Sequence, residues 1–268
     1  MSESTPFGPV IDPVSTARLA LACLDLTSLN DGDTPADIDK LCARAIGADP
    51  ARGATGAVCV WPRFVAQARS LLPAHIPVAA VANFPDGSSD TARAVADTQA
   101  IVAAGGNEVD VVFPYRDFSA AAGLLTAVRR ACPGLKLKVI LETGELQGLP
   151  QGFQLIAQAS RIALDAGADF LKTSTGKVPV SATPEAARVL LEAIAADPLT
   201  RNRVGFKPSG GIRTVADAAV YIGLTRELLG DAALTPARFR IGASGLLNDI
   251  EAVLSGAAPT APAAPSSY

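Results

Sequence analysis

The hydrophobic positions of the chain fall into short β-branched runs that alternate with longer alanine-rich segments. The short runs predict eight β-strands, and the segments between them have the apolar spacing that is typical of helices. The approximate cores of the predicted strands are Leu21–Asp25, Ala57–Val60, Val78–Ala82, Glu108–Val112, Leu137–Leu141, Phe170–Lys172, Arg203–Lys207 and Phe239–Ile241. Strands and helices that alternate in this way are typical of parallel α/β folds.

Local residue types mark where several of these helices begin and end. A hydroxyl residue precedes a proline or an acid at Thr34-Pro35, in Ser181–Glu185 and in Arg213–Asp217, which predicts a helix N-cap at each place. Glycines in Ala166-Gly167-Ala168 and Ala104-Gly105-Gly106 indicate helix exits. These boundaries support repeated strand–helix units.

Eight such units favour an α/β fold of the closed (β/α)8, or TIM-barrel, type. This fold takes about 250 residues, and the chain has 268, of which 49% are hydrophobic. An open doubly wound sheet is the alternative, but it usually carries a glycine-rich loop after its first strand, where this chain has Leu26–Gly32. We expect one barrel domain at residues 14–255, with short flexible tails at residues 1–13 and 256–268.

Composition narrows the classes of partner. Only 18% of residues are charged, the formal net charge is −3, and the 23 basic residues are scattered, which argues against nucleic-acid or anionic membrane surfaces. The N-terminus has no basic head or apolar run, and no segment approaches transmembrane length, so we expect a cytoplasmic protein.

Four cysteines without paired spacing predict free thiols. His75 is the sole histidine, which excludes a histidine-based triad or a multi-histidine metal site.

Three charged residues interrupt apolar strands. Lys172 ends the strand in Asp169–Lys177, Lys207 ends the strand in Val204–Gly211, and Asp110 lies within Val109–Phe113. Burying a charge is costly, so each of these residues needs a reason to be there. The carboxyl ends of barrel strands carry the chemistry of this fold. We therefore expect the two ammonium groups, on strands 6 and 7, to converge over the barrel mouth.

A lysine is a nucleophile only when it is uncharged, and its reference pKa is about 10.4. Two like charges about 4 Å apart at an effective dielectric near 20 repel by about 4 kcal/mol, equivalent to roughly three pKa units. Partial burial acts in the same direction. If Lys207 stays charged, we expect the pKa of Lys172 to approach about 7 to 8, where a positioned amine reacts near neutral pH.

Two small-residue loops predict a phosphate site. One follows strand 7 and the other opens the helix after strand 8; both let backbone amides approach an anion, and barrels often bind phosphate there. The predicted phosphate contacts are Gly176, Lys177, Gly210, Gly211, Gly242, Ser244 and Gly245.

Taken together, the motifs resemble the deoxyribose-phosphate aldolases, which are class I, Schiff-base aldolases on a barrel fold. The resemblance covers nearly the whole predicted domain. Besides the two lysine motifs it runs through Leu24–Thr27, Cys59–Arg63, Asn83–Pro85, Asn107–Tyr115 and Glu142–Leu146. It implies that Lys172 forms the imine, Lys207 perturbs its pKa and Asp110 moves protons. The residues expected to contact the rest of the substrate are Asp25, Thr27, Leu29, Phe84 and Thr173.

The resemblance also implies a reaction, the reversible cleavage of 2-deoxyribose 5-phosphate into acetaldehyde and glyceraldehyde 3-phosphate. No metal or other cofactor is expected, because the imine does the electrophilic work. A homodimer is expected by the same analogy, and the C-terminal Tyr268 is expected to assist proton transfer at the methyl carbon. Family members commonly carry two serines where this chain has Ser244-Gly245, so one hydroxyl contact to phosphate is missing.

Other interpretations of the sequence stay open. The chain is alternatively a non-catalytic binder of sugar phosphates, with the lysines as static anion clamps. A barrel isomerase, or a Schiff-base aldolase for another aldehyde pair, is a further alternative. Asp25 and Glu142 either support a polar network at the site or are buried structural carboxylates. Cys59 fits buried filler near the site better than a reactive thiol.

Overall fold

The structure is a computed structural model that describes residues 12–47 and 52–257. Eight short strands alternate with helices along these residues. The strands are β1 (Leu24–Thr27), β2 (Ala57–Val60), β3 (Val78–Ala82), β4 (Glu108–Val112), β5 (Lys136–Ile140), β6 (Phe170–Lys172), β7 (Gly205–Lys207) and β8 (Ile241–Ala243). The helices are α1 (Pro13–Ala22), α2 (Pro35–Ile46), α3 (Val65–Leu71), α4 (Thr91–Ala103), α5 (Phe118–Ala131), α6 (Thr143–Gln147), α7 (Gly152–Asp165), α8 (Pro184–Ala195), α9 (Pro198–Arg203), α10 (Val215–Leu229) and α11 (Leu246–Leu254).

The strands form one parallel ring. Each of β1 to β6 pairs with the next strand, and β1 also pairs with β8. Two isolated bridges, Phe206 with Phe239 and Ser209 with Gly242, join β7 to β8 and close the ring. The predicted (β/α)8 barrel is therefore confirmed. Its register places Lys172 of β6 directly beside Lys207 of β7.

The predicted helix starts are also confirmed. Thr34 and Thr214 form capping boxes with the acid three residues later, at the starts of α2 and α10. The Thr183 side chain accepts a hydrogen bond from the backbone N–H of Ala186 at the start of α8. These caps fix where each helix begins, and hence where the loops above the barrel mouth end.

Some strand bounds differ from the predicted ones. Leu21 lies in α1, capped by Asp12, so β1 begins at Leu24 instead. Arg203 ends α9, which shortens β7 to three residues. The last strand lies two residues later than predicted, at Ile241–Ala243. A continuous apolar run does not reveal by its periodicity where a buried helix gives way to a buried strand.

The domain limits at residues 14 and 255 stay a prediction, because residues 1–11 and 258–268 lie outside the described residues. The first described helix begins at Pro13 and the last ends at Leu254. None of the helices in the described stretches is both long and apolar enough to cross a membrane. All four cysteines are buried and unpaired.

Candidate active site

The amine of Lys172 lies at the centre of the barrel mouth, against a carboxylate. Its Nζ donates to Oδ2 of Asp110 over 2.8 Å, and the Nζ of Lys207 donates to the same oxygen over 2.8 Å. The two amines are therefore no further apart than the sum of those distances. Asp110 and Lys207 are fully buried, whereas 4% of the Lys172 side chain is exposed. Of the three charged residues predicted from the strands, Lys172 is thus the one with access from outside.

Beneath this triad lies a second layer of buried charges, of which sequence reasoning named Asp25 but missed Lys138, Glu108 and Arg240. Lys138 of β5 contacts Oδ1 of Asp110 over 2.7 Å and Oε2 of Glu108 over 2.5 Å. Arg240, just before β8, contacts Oδ1 of Asp25 over 2.6 Å and Oε1 of Glu108 over 2.9 Å. Asp25 also accepts a short hydrogen bond from Lys207. Each carboxylate is therefore held between cations, as buried charges require.

The pKa of Lys172 is lowered from its ordinary value, and burial is the leading cause. The neighbouring Asp110 carboxylate opposes that shift, and the Lys207 cation adds to it. Repulsion from Lys207 was expected to dominate. The structure makes it a secondary cause, smaller than burial, and the Asp110 carboxylate that contacts both amines acts against it.

Lys207, Lys138 and Asp110 keep their charges at neutral pH. Burial alone would lower the pKa of Lys207, but the Asp110 and Asp25 carboxylates outweigh it and raise that pKa. Lys138 follows the same pattern, with Asp110 and Glu108 raising its pKa against burial. Burial would raise the pKa of Asp110, yet the three surrounding lysines hold it well below its usual range. Lys172 is the lysine of this cluster whose pKa is lowered.

Above Lys172 opens a cavity of about 550 Å³. Its lining includes ten of the predicted site residues: Thr27, Leu29, Lys172, Gly176, Lys177, Gly210, Gly211, Gly242, Ser244 and Gly245. It also includes Ser28, Asn30, Thr175, Ser209, Ile212, Arg213 and Ala243. One amine at the floor and small-residue loops at the rim suit a small anionic ligand with a reactive carbonyl at its inner end.

A family model for DeoC/LacD family aldolases matches residues 19–249, which is most of the chain. The chain belongs to the DeoC/LacD aldolase family. The deoxyribose-phosphate aldolase of Agrobacterium fabrum is 48% identical over 255 residues, covering 92% of this chain and 95% of that relative. Among solved structures, a protein of Toxoplasma gondii ME49 provisionally described as a deoxyribose-phosphate aldolase has a TM-score of 0.79 and 25% identity, and covers 91% of this chain and 95% of its own. A similarly described protein of Coccidioides immitis has a TM-score of 0.74 and 27% identity, with 94% and 92% covered.

The cavity-rim loops of this DeoC/LacD aldolase, which were predicted to bind phosphate, depend on glycine geometry. Gly210 has φ +83°, and an added Cβ there would lie 2.5 Å from Cβ of Ser181. Gly211 and Gly176 also have positive φ values, of +80° and +78°. Because only glycine adopts this backbone region freely, side chains at these positions would disturb the cavity rim. The rim of the cavity is therefore built from backbone and small residues.

Two cations stand on the same rim. Lys177 and Arg213 are exposed residues that line the cavity, and the Lys177 amine makes a long contact of 3.9 Å with Asp31. Sequence reasoning missed Arg213 as a site residue, although it lies two positions after the Gly210-Gly211 motif. A charge just beyond a glycine loop is a signal that would have found it.

Three predicted substrate contacts lie outside the cavity lining. Asp25 is buried below the site with Arg240 and Lys207. Phe84 packs edge-on against Trp61, with the ring centroids 5.4 Å apart. The Thr173 hydroxyl accepts from the backbone N–H of Ser209 over 2.9 Å, which ties β6 to the loop after β7. As contacts of the substrate, these three stay predictions.

Glu142 braces the loop above Lys172. Its carboxylate accepts from the Thr175 hydroxyl over 2.5 Å and from the Thr175 backbone N–H over 3.2 Å. Burial raises the pKa of Glu142, and the bonds from Thr175 oppose that rise. The residue therefore fixes the loop geometry at the carboxyl end of β6.

The sequence also placed Cys59 near the site and predicted that Tyr268 assists proton transfer. Cys59 of β2 is fully buried in the barrel, and burial raises the pKa of its thiol, which makes it less reactive. Tyr268 lies outside the described residues. The described residues contain no group of three or more His, Cys, Asp or Glu side chains arranged to hold a metal ion.

Proposed function

We propose that the chain is a class I deoxyribose-phosphate aldolase that reversibly cleaves 2-deoxyribose 5-phosphate into acetaldehyde and glyceraldehyde 3-phosphate. The observation that carries the proposal is the Lys172 amine, which lies at the cavity floor 2.8 Å from Asp110 with a lowered pKa. The family membership and the 48% identical relative support the same conclusion.

In the cleavage direction the uncharged Lys172 attacks C1 of the open-chain sugar to give a carbinolamine. Loss of water forms a protonated imine, which withdraws electrons from C2. The bond between C2 and C3 then breaks as the C3 hydroxyl loses its proton. Its electrons form an enamine on Lys172, and glyceraldehyde 3-phosphate leaves. Protonation of the enamine carbon and hydrolysis of the imine release acetaldehyde and regenerate the amine.

Asp110 and Lys207 serve these proton transfers. Asp110 is an ionised carboxylate in contact with both amines, so it is placed to accept a proton when the carbinolamine forms and to return one when it loses water. Lys207 stays cationic and holds Asp110 in position. Its charge also disfavours a second charge on the free Lys172 amine.

The phosphate binds at the small-residue rim in this proposal. Backbone N–H groups of the loops after β7 and β8 approach its oxygens, and α11 begins directly beyond Gly245. Lys177 and Arg213 add positive charge on the same rim. The substrate thus spans from this rim to Lys172 at the floor.

Replacing Gly245 by serine should strengthen phosphate binding. An added Cβ at Gly245 meets no atom within 4 Å, and its φ of −94° suits any residue. One new hydroxyl bond is worth about 0.5–1.5 kcal/mol, so KM for the phosphorylated substrate should fall about 2- to 10-fold at unchanged kcat. The measurement is steady-state kinetics with 2-deoxyribose 5-phosphate.

A contrasting variant is Gly242→Ala, within β8 and three residues before Gly245. Its Cβ would lie 2.7 Å from Cβ of Ser209 and 3.1 Å from Cε of Lys207. This variant should lose kcat because Lys207 must shift. A higher KM for Gly245→Ser would contradict the placement of the phosphate, and wild-type kinetics for Gly242→Ala would contradict the need for Lys207 in its observed position.

The experiment that tests the proposed function combines turnover with covalent capture. Purified protein should release acetaldehyde from 2-deoxyribose 5-phosphate, and borohydride added with acetaldehyde should leave an ethyl group on Lys172 in peptide mass maps. Capture at Lys172 without turnover of this sugar would indicate an aldolase for another aldehyde pair. Phosphate binding with neither capture nor turnover would indicate a non-catalytic binder.

The proposal includes features that follow from the family alone. These are a cytoplasmic location, catalysis without a metal ion, a homodimer, and help from Tyr268 in moving the proton at the methyl carbon. Each stays a prediction.

A further inference from the structure

The buried cluster around Lys172 has more cationic side chains than carboxylates. Ion pairs among the described residues join four cationic side chains, Lys138, Lys172, Lys207 and Arg240, to three carboxylates, Asp25, Glu108 and Asp110. With every group ionised, one positive charge is left over. With one amine neutral, three cations face three carboxylates. Because net charge in a buried cluster is costly, the cluster favours the loss of one proton.

Arg240 and Glu108 are the part of this cluster furthest from the cavity. Their guanidinium and carboxylate meet over 2.9 Å, both residues are buried, and neither lines the cavity described above. Contacts of 2.8, 2.7 and 2.5 Å lead from Lys172 through Asp110 and Lys138 to Glu108. The pair therefore reaches the reacting amine only through other charges.

We propose that Arg240 and Glu108 are positioning residues whose opposite charges set the balance of the cluster, so that Lys172 is the amine that gives up its proton. Lys138 and Lys207 each face two or three carboxylates. Lys172 contacts Asp110 alone within salt-bridge distance in the described part of the chain. The surplus proton is therefore held least strongly at Lys172. This inference rests on the proposed function, because it takes Lys172 as the nucleophile.

The charged and titratable groups in and around this cluster come from most of the barrel strands, whereas β3 contributes none. They are Asp25 of β1, Cys59 of β2, Glu108 and Asp110 of β4, Lys138 of β5, Glu142 after β5, Lys207 of β7 and Arg240 before β8. Cys59 is a neutral thiol, since burial raises its pKa. Burial likewise raises the pKa of Glu142, which is engaged by Thr175 on the cavity side.

The proposal predicts shifts of opposite sign in two variants. Glu108→Gln removes a negative charge, disfavours protonated Lys172, and should move the acid limb of kcat/KM to lower pH. Arg240→Met removes a positive charge, favours protonated Lys172, and should move the same limb to higher pH. A unit charge about 8–10 Å away at an effective dielectric near 20 shifts a pKa by roughly one unit. The pH dependence of kcat/KM reports the free enzyme.

Two control variants separate charge from packing. The double variant Glu108→Gln with Arg240→Met restores the net charge of the cluster. It should return the acid limb of the kcat/KM profile to its wild-type position. Arg240→Lys keeps the charge with different geometry and should leave the limb in place even if kcat falls. Thermal melts identify any variant that does not fold. If Arg240→Met fails to fold, Glu108→Gln and the double variant decide the question.

The inference would be overturned if the acid limb shifted in the same direction in both single variants, or did not shift in a folded Glu108→Gln variant. Capture at Lys172 in the wild type would still support the proposed function. Absence of capture at Lys172 would instead refute the proposed function, whatever the variants do.

Discussion

Replacing Lys172 by arginine should lower kcat/KM for 2-deoxyribose 5-phosphate by about 10⁴-fold or more. Arginine keeps the positive charge and can still donate to Asp110. Its guanidinium does not lose a proton in proteins, so it offers no neutral amine to attack the aldehyde. The loss should appear in kcat, measured as acetaldehyde released at saturating sugar phosphate.

Lys136→Arg provides a matched control for this substitution. Lys136 begins β5, and its Nζ lies 5.7 Å from the ring centroid of Phe170, away from the cavity lining. The control variant should keep wild-type kinetics. A Lys172→Arg enzyme with kcat/KM within tenfold of wild type would exclude the imine mechanism at this residue.

Replacing Asp110 by asparagine should damage both catalysis and stability. Its carboxylate meets three lysine amines at 2.7–2.8 Å, all of them buried. Removing one partner of a buried ion pair costs about 3–5 kcal/mol of unfolding free energy. Loss of the proton shuttle should lower kcat by about 10²- to 10⁴-fold. Urea denaturation and steady-state kinetics measure the two effects.

Asp169→Asn is the matched control for Asp110. Asp169 pairs with Arg129 and Arg203 at the other end of the barrel and is partly exposed. Partly exposed pairs contribute about 1 kcal/mol or less, so the control should retain kcat and most of its stability. A folded Asp110→Asn variant with kcat within a few-fold of wild type would remove Asp110 from the proton path.

The barrel itself could be predicted because its strands are buried on both faces and read as continuous apolar runs. Thr34, Thr183 and Thr214 marked the helix starts for a local reason, since a cap is made by residues a few positions apart. The first helix was missed for the opposite reason. The run from Leu19 to Leu24 is apolar throughout, so the transition from α1 to β1 leaves no periodic signal.

The sequence predicted those site residues that can be recognised one at a time. Lys172, Lys207 and Asp110 interrupt apolar strands, and the register of β6 and β7 brings the two lysines side by side. Lys138, Glu108 and Arg240 carry the same signal within β5, at the start of β4 and before β8, but their pairing depends on closure of the ring. Glu108 and Arg240 are 132 residues apart in sequence, and sequence order alone does not reveal that they meet.

The cause of the lowered Lys172 pKa was also beyond the sequence. The effect of Lys207 on the pKa of Lys172 depends on every neighbouring charge, and the structure shows that Asp110 contacts both amines. The side chain of Lys172 is almost completely enclosed, and its enclosure could be known only from the folded barrel. Burial therefore replaces charge repulsion as the main reason for a reactive amine.

The most direct test of this account is the protonation state of Lys172 in the free protein. Brief reductive methylation across a range of pH, with each lysine quantified by peptide mass mapping, gives the midpoint at which Lys172 becomes reactive. We predict a midpoint clearly below the reference lysine value of about 10.4. A midpoint at or above that value would show that Lys172 is an ordinary cation and would contradict the mechanism.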